Sequence, residues 1–232
     1  MIHDWPREDE KYYFSGSDGL LPNLEVSSIG AGANGSVIAI ESIAEGRIVV
    51  KSPVTDDGKI DLDALGQLIR ENRFLEVLTN PRGDDNDHYL GGVVQRLAFT
   101  GPSSVEGLEA YGDSRIGLFM PRLSPIDTAH LDNQRIVDIS MDLSYPLARL
   151  HRWGIIHQDV KPSNVGHDGH IAKLLDFGLA GVYDSKKLPE HARQLADLGV
   201  TGGGTIIYQA PELIASGYSG SASSDGLLIK FD

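Results

Sequence analysis

An α+β chain of two lobes, the first an antiparallel β unit with one helix and the second mainly helical, is the expectation raised by three features of the sequence. Between Glu25 and Lys51, valine and isoleucine recur in alternation and glycines punctuate the run, with Ala44, Glu45 and Gly46 as the turn between two strands. That is the pattern of paired, half-buried strands. From Asp61 the period becomes helical: Leu65, Leu68, Leu75 and Leu78 share one stripe, and Asp61 or Asp63 stands where a helix N-terminus takes its cap. Val93 to Leu97 and Ile116 to Met120 read as further short strands of the first lobe. Asn133 to His151 then places Ile136, Ile139, Leu143, Leu147 and Leu150 on one helical stripe, interrupted by Pro146, which removes one internal hydrogen bond or kinks the helix. The second lobe begins there.

Composition narrows the function before any motif is read. The 232 residues are 41% hydrophobic, ordinary for a chain with a core. Twenty Lys and Arg against thirty-three Asp and Glu leave a formal net charge of −13, a surface that repels phosphate backbones, so no nucleic-acid partner is expected. The absence of cysteine excludes disulfide scaffolds, thiolate zinc sites and cysteine nucleophiles. Met1 to Lys11 is charged where a secretory signal is apolar, and no stretch approaches the ~20 apolar residues of a membrane span. A soluble intracellular protein, cytoplasmic or nuclear and without a membrane partner, is the expectation. No signal of oligomeric state is present.

Gly30, Gly32 and Gly35 spell G-x-G-x-x-G. A dinucleotide site of that spelling needs a helix directly after the last glycine, whereas Ser36, Val37, Ile38, Ala39 and Ile40 read as a strand. A glycine loop between two strands folds its amides over nucleotide phosphates instead, with Val37 against the base; a hairpin without a ligand is the plainer alternative. Lys51 ends the apolar run Ile48, Val49, Val50 and needs an anion there. Glu71, three residues after Leu68 and four before Leu75, puts a carboxylate on the inward stripe of the helix, where it needs a cation. One ion pair satisfies both. Glu76 is the other acidic candidate but falls off the stripe.

His157, Gln158, Asp159, Val160, Lys161, Pro162, Ser163 and Asn164 form the most informative string, and Asp176, Phe177 and Gly178 follow it after the strand-like Ile171, Leu174 and Leu175. Phosphoryl transfer needs an acceptor base, a cation on the migrating group and oxygen ligands for magnesium. Asp159 can orient an acceptor hydroxyl and take its proton, Lys161 can neutralise the moving group, and Asn164 with Asp176 can hold the metal. His157 is expected to pack beneath this loop rather than exchange protons. His151, His167, His170 and His191 show no partner pattern. Asp84, Asp85, Asp87 and His88 are read as a solvated connection, not a metal cluster, and Tyr12, Tyr13 and Phe14 as a packing patch.

In this order the motifs resemble those of eukaryotic-type protein kinases, over roughly residues 25–225: the glycine loop, Lys51 on its strand, Glu71 on its helix, the Asp159 string, Asp176-Phe177-Gly178, and Ala210-Pro211-Glu212. The resemblance implies ATP and Mg2+ as cofactors, with Lys51, Glu71, Asp159 and Lys161 as catalytic residues. It implies nucleotide contacts from Gly30, Ala31, Gly32, Ala33, Asn34, Gly35, Val37 and Lys51, and metal ligands in Asn164 and Asp176. Met120 would guard the back of the adenine pocket, with Arg122 and Leu123 in the connector beside the base. Lys161 two residues after Asp159, and Gly204-Thr205 before Tyr208, resemble serine/threonine kinases, so a protein substrate is the expected partner besides ATP. The domain boundaries implied are a leader at 1–24, an N-lobe at 25–119, a connector at 120–123 and a partial C-lobe at 124–232.

Two departures qualify the resemblance. Gln158 stands where many members carry an arginine that grips a phosphate on the activation segment, and Gln cannot make that charge pair. Phosphorylation at Ser185, Thr201 or Thr205 is therefore not expected to act through this position. Tyr218 to Asp225 matches the approach to the family's central C-lobe helix, with Asp225 as its aspartate, but residues 226–232 cannot supply that helix. The second lobe is expected to be incomplete after the activation segment. A truncated, inactive nucleotide-binding or regulatory module is thus the alternative to a protein kinase. A small-molecule phosphotransferase is a third reading, which Ala210-Pro211-Glu212 and Gly204-Thr205 disfavour.

Overall fold

The computed structural model describes residues 15–16, 19–20, 25–32, 35–42, 46–56, 59–79, 91–111, 116–209 and 211. They divide into two compact units, one drawn from Met1–Glu76 and Val94–Leu123, the other from Val77–Val93 and Ser124–Asp232. Ala33, Asn34, the acidic loop at Asp84 to His88, Tyr12 to Phe14, Ala210, Glu212 and Asp225 lie outside the described residues.

An antiparallel sheet forms the first unit's frame. Its strands are β1 (Glu25–Gly32), β2 (Gly35–Ser42), β3 (Gly46–Ser52), β4 (Ala98–Thr100) and β5 (Gly117–Pro121), in the spatial order β1-β2-β3-β5-β4. The β-branched run that predicts strands here supplies the core: Ile38, Ile40 and Val50 cluster with Phe119 against them. The ladder carries a register shift between Ser28 and Gly30, the extra residue of a bulge that bends β1 as it approaches the glycine turn. Pro121, which has no N–H to give, closes β5 at its end, where a missing donor is tolerated.

Helix α1 (Leu62–Thr79) is capped by Asp61, whose Oδ1 accepts from the Ala64 N–H at 2.9 Å. Leu65, Leu68, Leu75 and Leu78 are buried as the stripe requires, and Ile69 and Phe74 join them. One strand is corrected. Val93 to Leu97 is not a strand: Val93 makes a single parallel bridge to Leu174, and the ladder begins at Ala98, after the Leu97 N–H donates to the Phe119 carbonyl. Val93 and Val94 are apolar because they are buried, but it is the register offered by β5 that decides where pairing starts.

The second unit is built on α2 (Asn133–Arg152), started by Asp132 accepting from the Arg135 N–H at 2.7 Å. It packs against β7 (Ile155–Ile156) and β9 (Ala172–Leu174). β6 (Ser124–Pro125) pairs with β8 (Val165–His167), which pairs with β9; β7 pairs with β10 (Gly181–Val182). The helix continues through Pro146, whose ring lies so close to Gly92 that a Cβ there would come within 2.5 Å of Cγ. Of the expected α2 stripe, Leu150 is buried, Ile139, Leu143 and Leu147 are half-buried and Ile136 is exposed. Gly154 ends the turn at φ +73, with a Cβ position 2.2 Å from the Asp184 carbonyl oxygen, so no other residue fits there. Among the described residues, no helix is long and apolar enough to cross a membrane.

Candidate active site

In the first unit, the sheet register sets the glycine turn beside the lysine. Gly30 pairs with Val37, Val37 with Lys51, and Lys51 with Leu118. Gly32 pairs with Gly35 across the turn, and a Cβ on Gly35 would stand 2.5 Å from the Ser52 carbonyl oxygen, so this close approach of backbones requires glycine. The strand after Gly35 is the arrangement that the dinucleotide reading could not accommodate.

Lys51 Nζ donates to Glu71 Oε2 at 2.6 Å. Glu71 is only 1% exposed, so a carboxylate at that place depends on its ammonium. The pair arises because β3 ends in the lysine and the inward stripe of α1 carries the acid. Met120 is buried on β5, paired with Val49. The Arg122 N–H is committed to the Arg47 carbonyl at 2.9 Å, so this amide is part of the sheet rather than a donor for a base.

In the second unit, the β8–β9 hairpin draws the catalytic candidates together. Val165 pairs with Leu174, and at the open end the Leu175 N–H donates to the Asn164 carbonyl at 2.9 Å, setting Asn164 beside the start of Asp176-Phe177-Gly178. His157 sits under this junction: Nε2 lies 2.9 Å from the Leu175 carbonyl oxygen, and the ring meets Phe177 edge-on at 4.7 Å. A carbonyl oxygen can only accept, so Nε2 carries the proton and Nδ1 receives the Asp159 N–H at 3.4 Å. Burial holds the imidazole neutral by pushing its pKa down, against the pull of the Leu175 carbonyl and of Asp176 and Asp159. It is a packing and orienting residue.

Asp159 is heavily bonded. Its Oδ1 accepts from the Thr205 N–H and the Thr205 hydroxyl, both at 2.8 Å. Its Oδ2 meets Lys161 Nζ at 2.7 Å and accepts from Asn164 Nδ2 at 2.9 Å; that same Nδ2 also donates to the Asp159 carbonyl at 2.9 Å. Lys161 Nζ reaches the Thr205 hydroxyl at 2.7 Å. Burial raises the pKa of Asp159, but the hydrogen bonds from Lys161 and Thr205 and the lysine charge outweigh it and leave the carboxyl below its ordinary value. An ionised carboxylate, an ammonium and a hydroxyl thus converge within one hydrogen-bonded cluster.

Asn164 gives both bonds from Nδ2, so Oδ1 takes no part in either; Asp176 adds a carboxylate whose Oδ1 accepts from the Gly178 N–H at 3.3 Å. Amide and carboxylate oxygens are the donors that Mg2+ prefers, and this donor set fits such an ion. No cluster of three or more His, Asp or Glu arranged for a metal occurs among the described residues. Thr205 is the contact that residue-type reasoning missed. It was singled out as a marker of acceptor class, yet it touches Asp159 directly, and the hydroxyl placed after a run of glycines is the only local signal of that contact.

Comparison with known proteins agrees with this geometry. Residues 115–226 match the family model of the protein kinase domain. The chain is similar to the serine/threonine-protein kinase SSK22 of Saccharomyces cerevisiae, with 27% identity over 84% of this chain and 14% of that protein. It is also similar to the probable serine/threonine-protein kinase iksA of Dictyostelium discoideum, with 28% identity over 85% of this chain and 21% of that protein. The serine/threonine-protein kinase pkn2 of Myxococcus xanthus is 28% identical over 79% of the chain and 20% of its own length. The chain therefore spans between 14% and 21% of the length of these three relatives.

Proposed function

This chain carries a protein kinase domain, and we propose that it transfers the terminal phosphoryl group of ATP to serine or threonine hydroxyls of a protein. The observation that carries the reading is the cluster at Asp159: an ionised carboxylate, the Lys161 ammonium 2.7 Å from it, and the Asn164 amide locked to it. A hydroxyl entering this cluster gives its hydrogen bond, and then its proton, to Asp159, whose lowered pKa keeps it ionised and ready to orient the attacking oxygen. Lys161 is placed to meet negative charge gathering on the transferred group. In the first unit, Lys51, held by Glu71, offers an ammonium for phosphate oxygens. Asn164 and Asp176 would hold magnesium, which would supply positive charge to neutralise the phosphates. Serine or threonine as acceptor is supported by Lys161 and Thr205 sharing the base, and by the names of the similar proteins. A cytoplasmic or nuclear location is part of the same proposal, since ATP is abundant there.

A second reading, nucleotide binding without transfer, draws on one observation. Both oxygens of Asp159 already accept two bonds each, so an acceptor must displace or share the Thr205 hydroxyl. Magnesium-dependent ATP binding and phosphate transfer to a generic protein substrate, measured on this chain and on Asp159→Ala, separate the two. Transfer that falls about 10²–10⁴-fold in the variant while ATP binding persists supports catalysis by Asp159. Binding with no transfer in the parent chain establishes the second reading.

A further inference from the structure

Three consecutive glycines, Gly202, Gly203 and Gly204, precede Thr205 with φ of 68°, 136° and 100°. Such a run is the hardest kind of backbone to order, since glycine loses the most freedom on folding. A Cβ at Gly203 would meet only Leu179 methyls, at 3.7 and 3.8 Å. Thr201, just before the run, has its hydroxyl buried without a hydrogen-bond partner among the described residues. Yet Thr205 arrives with its N–H and hydroxyl both on Asp159 Oδ1.

The missing restraint comes from the other side. Gln209 Nε2 donates to the Gly203 carbonyl at 2.8 Å and to the Gly204 carbonyl at 3.3 Å. The short 3-10 turn Ile206–Tyr208, closed by Tyr208 N–H to the Thr205 carbonyl and Gln209 N–H to the Ile206 carbonyl, folds the chain back so that Gln209 reaches them. The Gly204 carbonyl and the Thr205 N–H belong to one planar peptide unit and point in opposite directions. Gln209 therefore holds one end of that plane while Asp159 takes the other. Fixing the carbonyl aims the N–H, and a bonded carbonyl makes the N–H of the same amide a better donor. On its remaining flank Gly204 rests on the Gln158 carbonyl, where a Cβ would come within 2.3 Å, so the plane cannot shift toward the catalytic string.

We propose that Gln209 is a positioning residue for the catalytic base: its side-chain amide clasps the Gly203 and Gly204 carbonyls and so presents Thr205 to Asp159. This rests on the reading of Asp159 as the base. Gln209 touches no reacting atom, and it acts by supplying N–H donors. The chemistry needed at position 209 is thus a donor of adequate reach, not an amide as such.

The test uses the full chain with Gln209→Glu, close in shape but without a donor when ionised, Gln209→Met, of similar length and apolar, and Gln209→Lys, which restores a donor. Glu and Met are expected to lower kcat about tenfold or more with KM for ATP unchanged. They should also speed hydrogen exchange of the Thr205 amide, the group that the clasp presents to Asp159. Lys is expected to recover most of kcat and of the amide protection. Unchanged Thr205 exchange in both donor-free variants overturns the proposal, as does a Lys variant as impaired as the Met variant. If the parent chain transfers no phosphate, the kinase reading fails, but the Thr205 amide exchange followed by NMR still decides the role of Gln209.

Discussion

Gln158 and Asp176 adopt φ of 67° and 59°, a conformation that costs a residue with a Cβ about 1 kcal/mol. They flank the two ends of the candidate chemistry, one directly before Asp159 and the other within the Asp176-Phe177-Gly178 triplet. Such conformations persist only where surroundings impose them. At Gln158 the carbonyl supports Gly204, while Oε1 is buried without a hydrogen-bond partner among the described residues. A neutral side chain so placed offers no charge for a phosphate, and this carries a prediction. The chain stripped of phosphate by a phosphatase is expected to retain at least about half of its transfer activity; a loss of tenfold or more that Gln158→Ala abolishes would overturn it. At this scale the sequence was readable wherever chemistry is local. Asp159, Lys161 and Asn164 stand within a few residues of one another. Thr205 does not: it lies 46 residues from the carboxylate it bonds, and no pattern of residue types announces a contact that the backbone path alone creates.

Between elements, the bond from Lys51 to Glu71 ties β3 to α1, and it follows from two independent placements in the sequence, a lysine closing an apolar strand and an acid on a helical stripe. Lys51→Met leaves a carboxylate that is 1% exposed without this ammonium. Because Lys51 itself keeps 14% exposure, a loss of about 2–4 kcal/mol is expected, toward the lower end of the cost of splitting a buried pair. The Glu71→Gln, Lys51→Met double variant should be more stable than the two single losses add to, and thermal melts of the four proteins measure that coupling. The Asp61 cap makes a smaller prediction: Asp61→Ala should cost about 1 kcal/mol, lowering Tm by roughly 2–4 °C. Both long helices were legible from their periodicity, and the first also from its cap, because these are written in neighbouring residues. The strand expected at Val93 to Leu97 was not, since burial and ladder pairing both select apolar residues, and only the partner strand distinguishes them.

Across the whole molecule, the shifted titrations of two histidines and two aspartates act in the same direction. Burial lowers the pKa values of His157 and His151, so the unfolded chain binds their protons first, and folding loses stability as pH falls below about 6.5. Asp159 and Asp168 have folded pKa values below the ordinary carboxylate value: at each, burial pulls upward but hydrogen bonds and a lysine prevail. Their stabilisation is complete above the unfolded value near 4 and disappears as pH falls through the folded values. Urea unfolding at a series of pH values should therefore show stability declining in two stages on acidification, with no gain on approaching the sequence pI of 4.9. An increase in stability between pH 6.5 and 5 would contradict the assignment of His157 as buried and neutral. The two units themselves are not consecutive stretches of chain. The backbone passes from one to the other at 76/77, again at 93/94 and again at 123/124, and the Leu174 amide in the second unit is satisfied by the Gly92 carbonyl, far upstream. Exchanging either half with that of a relative, by evolution or by an engineer, is accordingly a matter of three matched splices. A single crossover at 123/124 would separate Leu174 from the partner its own lineage supplied.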